Sequence, residues 1–314
     1  MTSITKIPLY LLALVLLALV EACASRSSAR QAIAANTTLS AEQLLADIAT
    51  GKPLSYTDVV VEGDVDFTLL GSAPLTPATQ VTTIGGPLYF ERCQFKGNVT
   101  GFGRRGDTTI VARFTSAVSF QNCRFEQEVD LRGSTFEHHL YLNNSLFDQQ
   151  LVLQAARVHG DFRLENADFS GDLLMQEIAV DGIFWANEAK VYGQFSVQQA
   201  DFMQDALFSS LLVTGYADFG LVNFRRSAYF PYSTFHSRVN YSGAIFHHRA
   251  EWTKALFEDT VDMQDVHFGY PPVSDGVESK EPLDFTSTSA SVGATGKKAR
   301  SLMEQRIENK VHKM

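Results

Sequence analysis

The sequence is poor in cysteine, in tryptophan and in positive charge. Only 3 Cys occur in 314 residues, which excludes a dense disulfide framework. Lys and Arg total 26 against 35 Asp and Glu, for a net charge of −9. Nucleic-acid affinity rests on clustered cations, so no nucleic-acid partner is expected. There is no Gly-rich phosphate loop, no zinc-type Cys/His spacing and no Ser-His-Asp context. No cofactor is therefore expected. What the chain has in excess is Phe, 23 of them.

The N-terminus has the layout of an export signal. Lys6 supplies a positive charge, Pro8 to Val20 is apolar, and Glu21 ends the run. Such a stretch is shorter than the ~20 residues that span a bilayer. It is followed by Ala22-Cys23, and a small residue directly before Cys resembles a bacterial lipoprotein signal. That resemblance implies cleavage of residues 1–22, lipidation of Cys23 and attachment to a membrane. Glu21 departs from the pattern, where a small uncharged residue is usual. Cleavage after Ala24 at an A-x-A site and an uncleaved anchor are the other readings. All three export the chain, to the periplasm or the cell surface.

The Phe excess has a period. From Phe114 to Phe268 every eleventh residue, fifteen positions in all, is Phe or Val. A second apolar column lies six residues on (Phe120, Leu131, Leu142) and a third four on (Val118, Val129, Leu140). A fourth, two before each Phe or Val, is mostly small (Cys123, Ser134, Ser145, Ala156). Apolar residues paired as i and i−2 lie on one side of a short extended segment. The residues between pairs are polar and often Gly, such as Gly171, Gly182 and Gly193, as corners require. Each unit makes two short sides, so two units close one four-sided coil.

Ala167-Asp168-Phe169, Ala200-Asp201-Phe202 and Ala217-Asp218-Phe219 resemble the Ala-Asp/Asn-Leu/Phe-x-x unit of the pentapeptide-repeat family. Here every second pentapeptide carries one extra residue. The resemblance implies an all-β fold, a right-handed quadrilateral parallel β-helix, and little about function. The register extends back to Val59 if short segments loop out around Gly101–Thr109 and after Phe67. That gives nine coils between Val59 and Phe268, about 43 Å at ~4.8 Å per coil.

Solenoids need capped ends. Ser40 to Gly51 predicts a short N-terminal capping helix, opened by Ser40-Ala41-Glu42-Gln43, with 23–39 as linker. After Phe268 the pattern ends at Pro271-Pro272, and 269–296 reads as linker. Residues 297–314 form a basic, helix-compatible tail that serves as a C-terminal cap or a contact to anionic lipid or a partner.

Identical positions stack every coil, so outward columns can be read as ladders. Glu137, His159 and Asp181 form one, a weak metal or proton-shuttle candidate whose ordinary reading is a solvated face. Tyr141, Arg163, Trp185, Leu207 and Tyr229 form another, an apolar and aromatic stripe suited to binding. Cys93 and Cys123 both sit two before a Phe, separated by one coil plus the first of the inferred loops. They should stack as a disulfide or as two free thiols.

The reading that fits best is a non-enzymatic, exported, lipid-anchored scaffold binding a protein or glycan along one face, with oligomerisation left open. A polysaccharide-active β-helix enzyme is one alternative. An acidic DNA-mimic inhibitor of a topoisomerase, which some cytoplasmic family members resemble, is the other, and export speaks against it.

Overall fold

A computed structural model describes residues 37–283. The segment read as an export signal, Cys23 and the basic tail at 297–314 lie outside the described residues. The described chain is an all-β right-handed solenoid with one α-helix, wound as four parallel faces.

The faces follow one another along the chain. The first runs through Val59–Glu62, the second through Val65–Asp66, the third through Thr79–Ile84 and the fourth through Leu88–Glu91. Most later strands are two residues long, one side chain inward and one outward. Phe125 pairs with Phe147, Phe147 with Phe169 and Phe169 with Val191, each one coil apart. Phe136 pairs with Val158 on the third face in the same way. The inward columns make one continuous core in which rings stack on rings, as Phe114 does on Phe136 at 4.8 Å and 2°. The fifteen-position column thus alternates between the third and first faces.

The corners are of two kinds. In one, a four-residue turn such as Leu153–Ala156 is closed by the Ala156 N–H donating to the Leu153 carbonyl at 3.0 Å. Its third residue has positive φ, as a type II turn requires. Those positions are held mostly by residues other than glycine, among them Asn144, Ala155, Asn166, Glu177 and Glu188 with φ of 54–58°, and by glycine at Gly133 and Gly243. In the other kind, Gly171, Gly182, Gly193 and Gly215 have ordinary φ. They are glycine because a Cβ would stand 2.3–2.8 Å from atoms of the preceding coil. The glycines expected at corners do stand there; Gly171, Gly182, Gly193 and Gly215 serve close approach between coils, and Gly133 and Gly243 serve the turns.

Both insertions fall where the register places them. Leu88 pairs with Val118 and Val65 with Val99, each across a step longer than the regular coil. The extra residues do not simply loop out. Phe102–Arg105 and Thr108–Phe114 form an antiparallel hairpin, as do Ala73–Thr76 and Thr79–Ile84, and the two are joined through Thr109–Phe114 on Thr79–Ile84.

The solenoid is longer than the linker boundaries at 39 and 269 allow. Strand β1 (Thr37–Ser40) lies on β2 (Val59–Glu62), with Leu39 opposite Val61 one coil on. Helix α1 (Ala41–Ala49) then replaces the second and third faces of that first coil. Ser40 accepts from the Gln43 N–H while Gln43 accepts from the Ser40 N–H, a reciprocal cap, and Leu44 and Ile48 close the core. The Tyr56 hydroxyl fixes the helix by donating to Asp47 at 2.5 Å. Burial and that carboxylate push the Tyr56 pKa up to about 12.

At the other end the pattern continues past Pro271-Pro272. Val273 N–H donates to the Ala250 carbonyl at 2.9 Å, and Glu278–Ser279 pairs with Leu256–Phe257. The first face therefore has eleven strands. The prolines are harmless because neither position donates to the preceding coil's main chain. At Pro271's equivalents, Ile183 and Ser227, the N–H goes to an aspartate side chain, and at Pro272's equivalent, Ala228, it goes to the following coil.

Candidate functional site

The fourth face carries the stripe. Tyr141, Arg163, Trp185, Leu207 and Tyr229 are register partners in five successive strands. Each occupies the outward position of a two-residue strand whose other member, Leu140, Phe162, Phe184, Ala206 or Ala228, is in the core. Alternation along the strand thus forces these side chains to the surface. All five are half-buried, so they form a flush band rather than projecting rings.

Arg163 organises the band. Its guanidinium lies 5.2 Å from the Tyr141 ring centroid and 5.0 Å from that of Trp185, sandwiched between them. Asp161 and Glu165 flank it at 3.7 and 3.9 Å, so its charge is steadied from both sides of the column. His139 stacks on Tyr141 at 5.4 Å. Burial pushes the Tyr141 hydroxyl up in pKa, and Arg163 opposes that shift.

The column runs beyond the stripe as read from sequence at both ends. Tyr89 is 45% exposed and pairs with Ser119, which pairs with Tyr141. At the far end Tyr229 meets Glu251. The insertion between Tyr89 and Ser119 hid the first of these, because a column followed at the regular coil interval steps past it.

The Glu137–His159–Asp181 column is assembled, but as a chain of side-chain contacts. His159 Nδ1 is 2.6 Å from Asp181, its Nε2 is 3.8 Å from Glu137, and Arg113 also holds Glu137 at 2.6 Å. Among the described residues no group of three His, Cys, Asp or Glu is arranged to hold a metal ion.

Cys93 and Cys123 stack, buried, in neighbouring coils. Gln94 pairs with Arg124, whose N–H donates to the Cys93 carbonyl at 2.9 Å. They are free thiols here, not a disulfide. Burial raises the Cys123 pKa well above that of an ordinary thiol.

A family model described as pentapeptide repeats (9 copies) matches residues 112–146. No curated protein and no solved structure matches the chain.

Proposed function

Because this chain belongs to the pentapeptide-repeat family, we propose that it is a non-enzymatic scaffold that binds a partner protein along its fourth face. The observation that carries this is the Tyr141–Arg163–Trp185 sandwich, continued by Leu207 and Tyr229. Trp, Tyr and Arg are the residues that dominate protein–protein contacts, and a flush band suits a flat partner better than a small ligand. A rigid ladder also holds these groups in place before binding, which lowers the entropy lost on association.

Export and lipidation at Cys23 complete the proposal. The support is the order Lys6, apolar Pro8 to Val20, then Ala22-Cys23. Acyl chains would tether the solenoid to a membrane with the band available to neighbours. No catalytic constellation enters this reading.

The test is in-membrane crosslinking of the wild type and of the triple variant Tyr141→Ser/Trp185→Ser/Tyr229→Ser. Loss of one crosslinked partner in the variant supports the reading. Unchanged partners and oligomeric state would remove the band as the interface. Mass spectrometry of the mature N-terminus checks lipidation, and an intact 1–22 segment would overturn it.

A further inference from the structure

A second concave surface lies on the corner between the first and second faces, separated from the aromatic band by the whole first face. Two columns build it. Gln127, Gln149 and Gly171 make one, and Asn98, Glu128, Gln150 and Asp172 the other. The rungs are locked by main-chain bonds: Val99 N–H to the Glu128 carbonyl, Val129 to Gln150 and Leu151 to Asp172, at 2.9–3.0 Å.

Gly171 closes the lining at one end, where a Cβ would stand 2.8 Å from the Gln149 carbonyl carbon. Beside it the side chains of Gln127, Gln149 and Gln150 border an open groove of about 380 Å³.

Its chemistry is selective. The lining is amide and carboxylate, with no Lys or Arg and no aliphatic or aromatic side chain. Two walls are fixed: Asn98 Nδ2 donates to Asp64 at 3.2 Å, and Asp172 Oδ1 accepts from the Gln194 N–H at 2.8 Å. Between them the side chains of Gln127, Gln149, Gln150 and Glu128 make no hydrogen bond among the described residues. Each amide offers both a donor and an acceptor. A ligand that matches must donate and accept in alternation, carry no negative charge and need no apolar wall. Two carboxylates with no cation in the lining repel phosphate and acidic sugars, and they are too few to hold a metal ion.

We propose that this corner groove binds a neutral saccharide through Gln127, Gln149 and Gln150, with Glu128 and Asp172 accepting from its hydroxyls. The site stands independently of the aromatic band, since no residue is shared.

The experiment is ligand-observed NMR on the full chain with maltotriose, cellotriose and chitotriose, and with a galacturonic acid trimer as the anionic probe. At least one neutral trisaccharide should bind with Kd of roughly 0.1–1 mM. Gln127→Ala/Gln150→Ala should weaken that binding at least tenfold while leaving the melting temperature unchanged, because neither amide bonds within the fold. The Tyr141/Trp185/Tyr229 variant should bind the sugar as the wild type does. Absence of binding by all three neutral probes at tenfold higher concentration than that range would overturn the proposal. So would binding unaffected by the double variant, or tighter binding of the galacturonic acid trimer.

Discussion

Phe169 lies face to face with Phe147 of the preceding coil, ring centroids 4.8 Å apart and planes 13° from parallel. Val191 takes the same place in the next coil, and Phe169 is fully buried. The ring is clamped between rungs whose spacing is set by main-chain hydrogen bonds, so its neighbours cannot close over a void. Phe169→Ala should therefore cost about 3–5 kcal/mol, the usual range for a buried aromatic. Urea melts measure it. A loss below about 1 kcal/mol would mean that the site collapses and the coils are softer than this packing implies.

The two kinds of corner give substitutions of opposite sign. Ala155 is exposed and holds φ of +56°. The left-handed region costs a non-glycine residue roughly 1–2 kcal/mol, and glycine's extra freedom when unfolded returns about 0.5–1 of that. Ala155→Gly should then stabilise by up to about 1 kcal/mol. Gly171→Ala should destabilise by a few kcal/mol, since its new Cβ meets the Gln149 backbone at 2.8 Å. Urea midpoints moving in the same direction for both would show that the corners are not of two kinds.

The thiols give a chemical check on the same stacking. Cys93 and Cys123 are both buried, and Cys123 is held protonated by its apolar surroundings. In a Cys23→Ser background, iodoacetamide at neutral pH should label neither thiol in the native protein and both in guanidinium. Native labelling at the rate of an ordinary exposed thiol would contradict the placement of the insertion that brings them together.

His247 makes stability depend on pH. Although it reaches the surface, its neighbours take much of the water from the imidazole. That desolvation, with Arg225 and His248, lowers its pKa below the usual histidine value, and Asp201 opposes the shift. Its Nε2 lies 2.9 Å from Asn223 Oδ1. A folded pKa below the unfolded ~6.5 means that the unfolded chain binds the proton first. Stability is complete above ~6.5 and falls as pH drops toward the folded value. His247→Gln should flatten the decline in melting temperature between about pH 7.5 and 5.5. An unchanged slope in the variant would assign the decline to other groups.

The winding was legible in the sequence because every coil repeats the same test. Phe125, Phe147 and Phe169 occupy one column, and a chance residue at one rung is outvoted by the rungs beside it. Even the insertions were recoverable, since Phe95 returns to register with Phe125 once the longer step is allowed for. The ends were hidden for the same reason. Thr37–Ser40 places one apolar residue, Leu39, against the core, and a single rung carries no periodic signal. Tyr89 was lost from the band because its step differs from that of the others. The groove at Gln127 and Gln150 has no motif at all. Its lining comes from four successive coils, through Asn98, Gln127, Gln149 and Asp172, residues distant in the chain that only the winding brings onto one corner.

The last coil supplies the sharpest test of where the solenoid stops. If 269–283 were linker, ending the chain at Gly269 or at Leu283 would have the same effect on stability. In the structure the segment is part of the ladder. Trp252 N–H donates to the Val273 carbonyl at 2.7 Å, Lys254 to Asp275 at 2.8 Å, and Val277 and Leu283 pack against the core. Solenoid stability is close to a sum of coil and nearest-neighbour terms, so removing a terminal segment strips one interface and uncovers the rung beneath. The rung uncovered here contains Trp252 and Phe257, both buried. A chain stopped after Gly269 should melt roughly 5 °C below one stopped after Leu283, the shift that about 2 kcal/mol produces at this size. Val277→Asp in the longer chain should reproduce most of that loss, because a carboxylate at an inward position stays uncompensated. Equal melting temperatures for the two truncations, with Val277→Asp silent, would return 269–283 to the status of a linker.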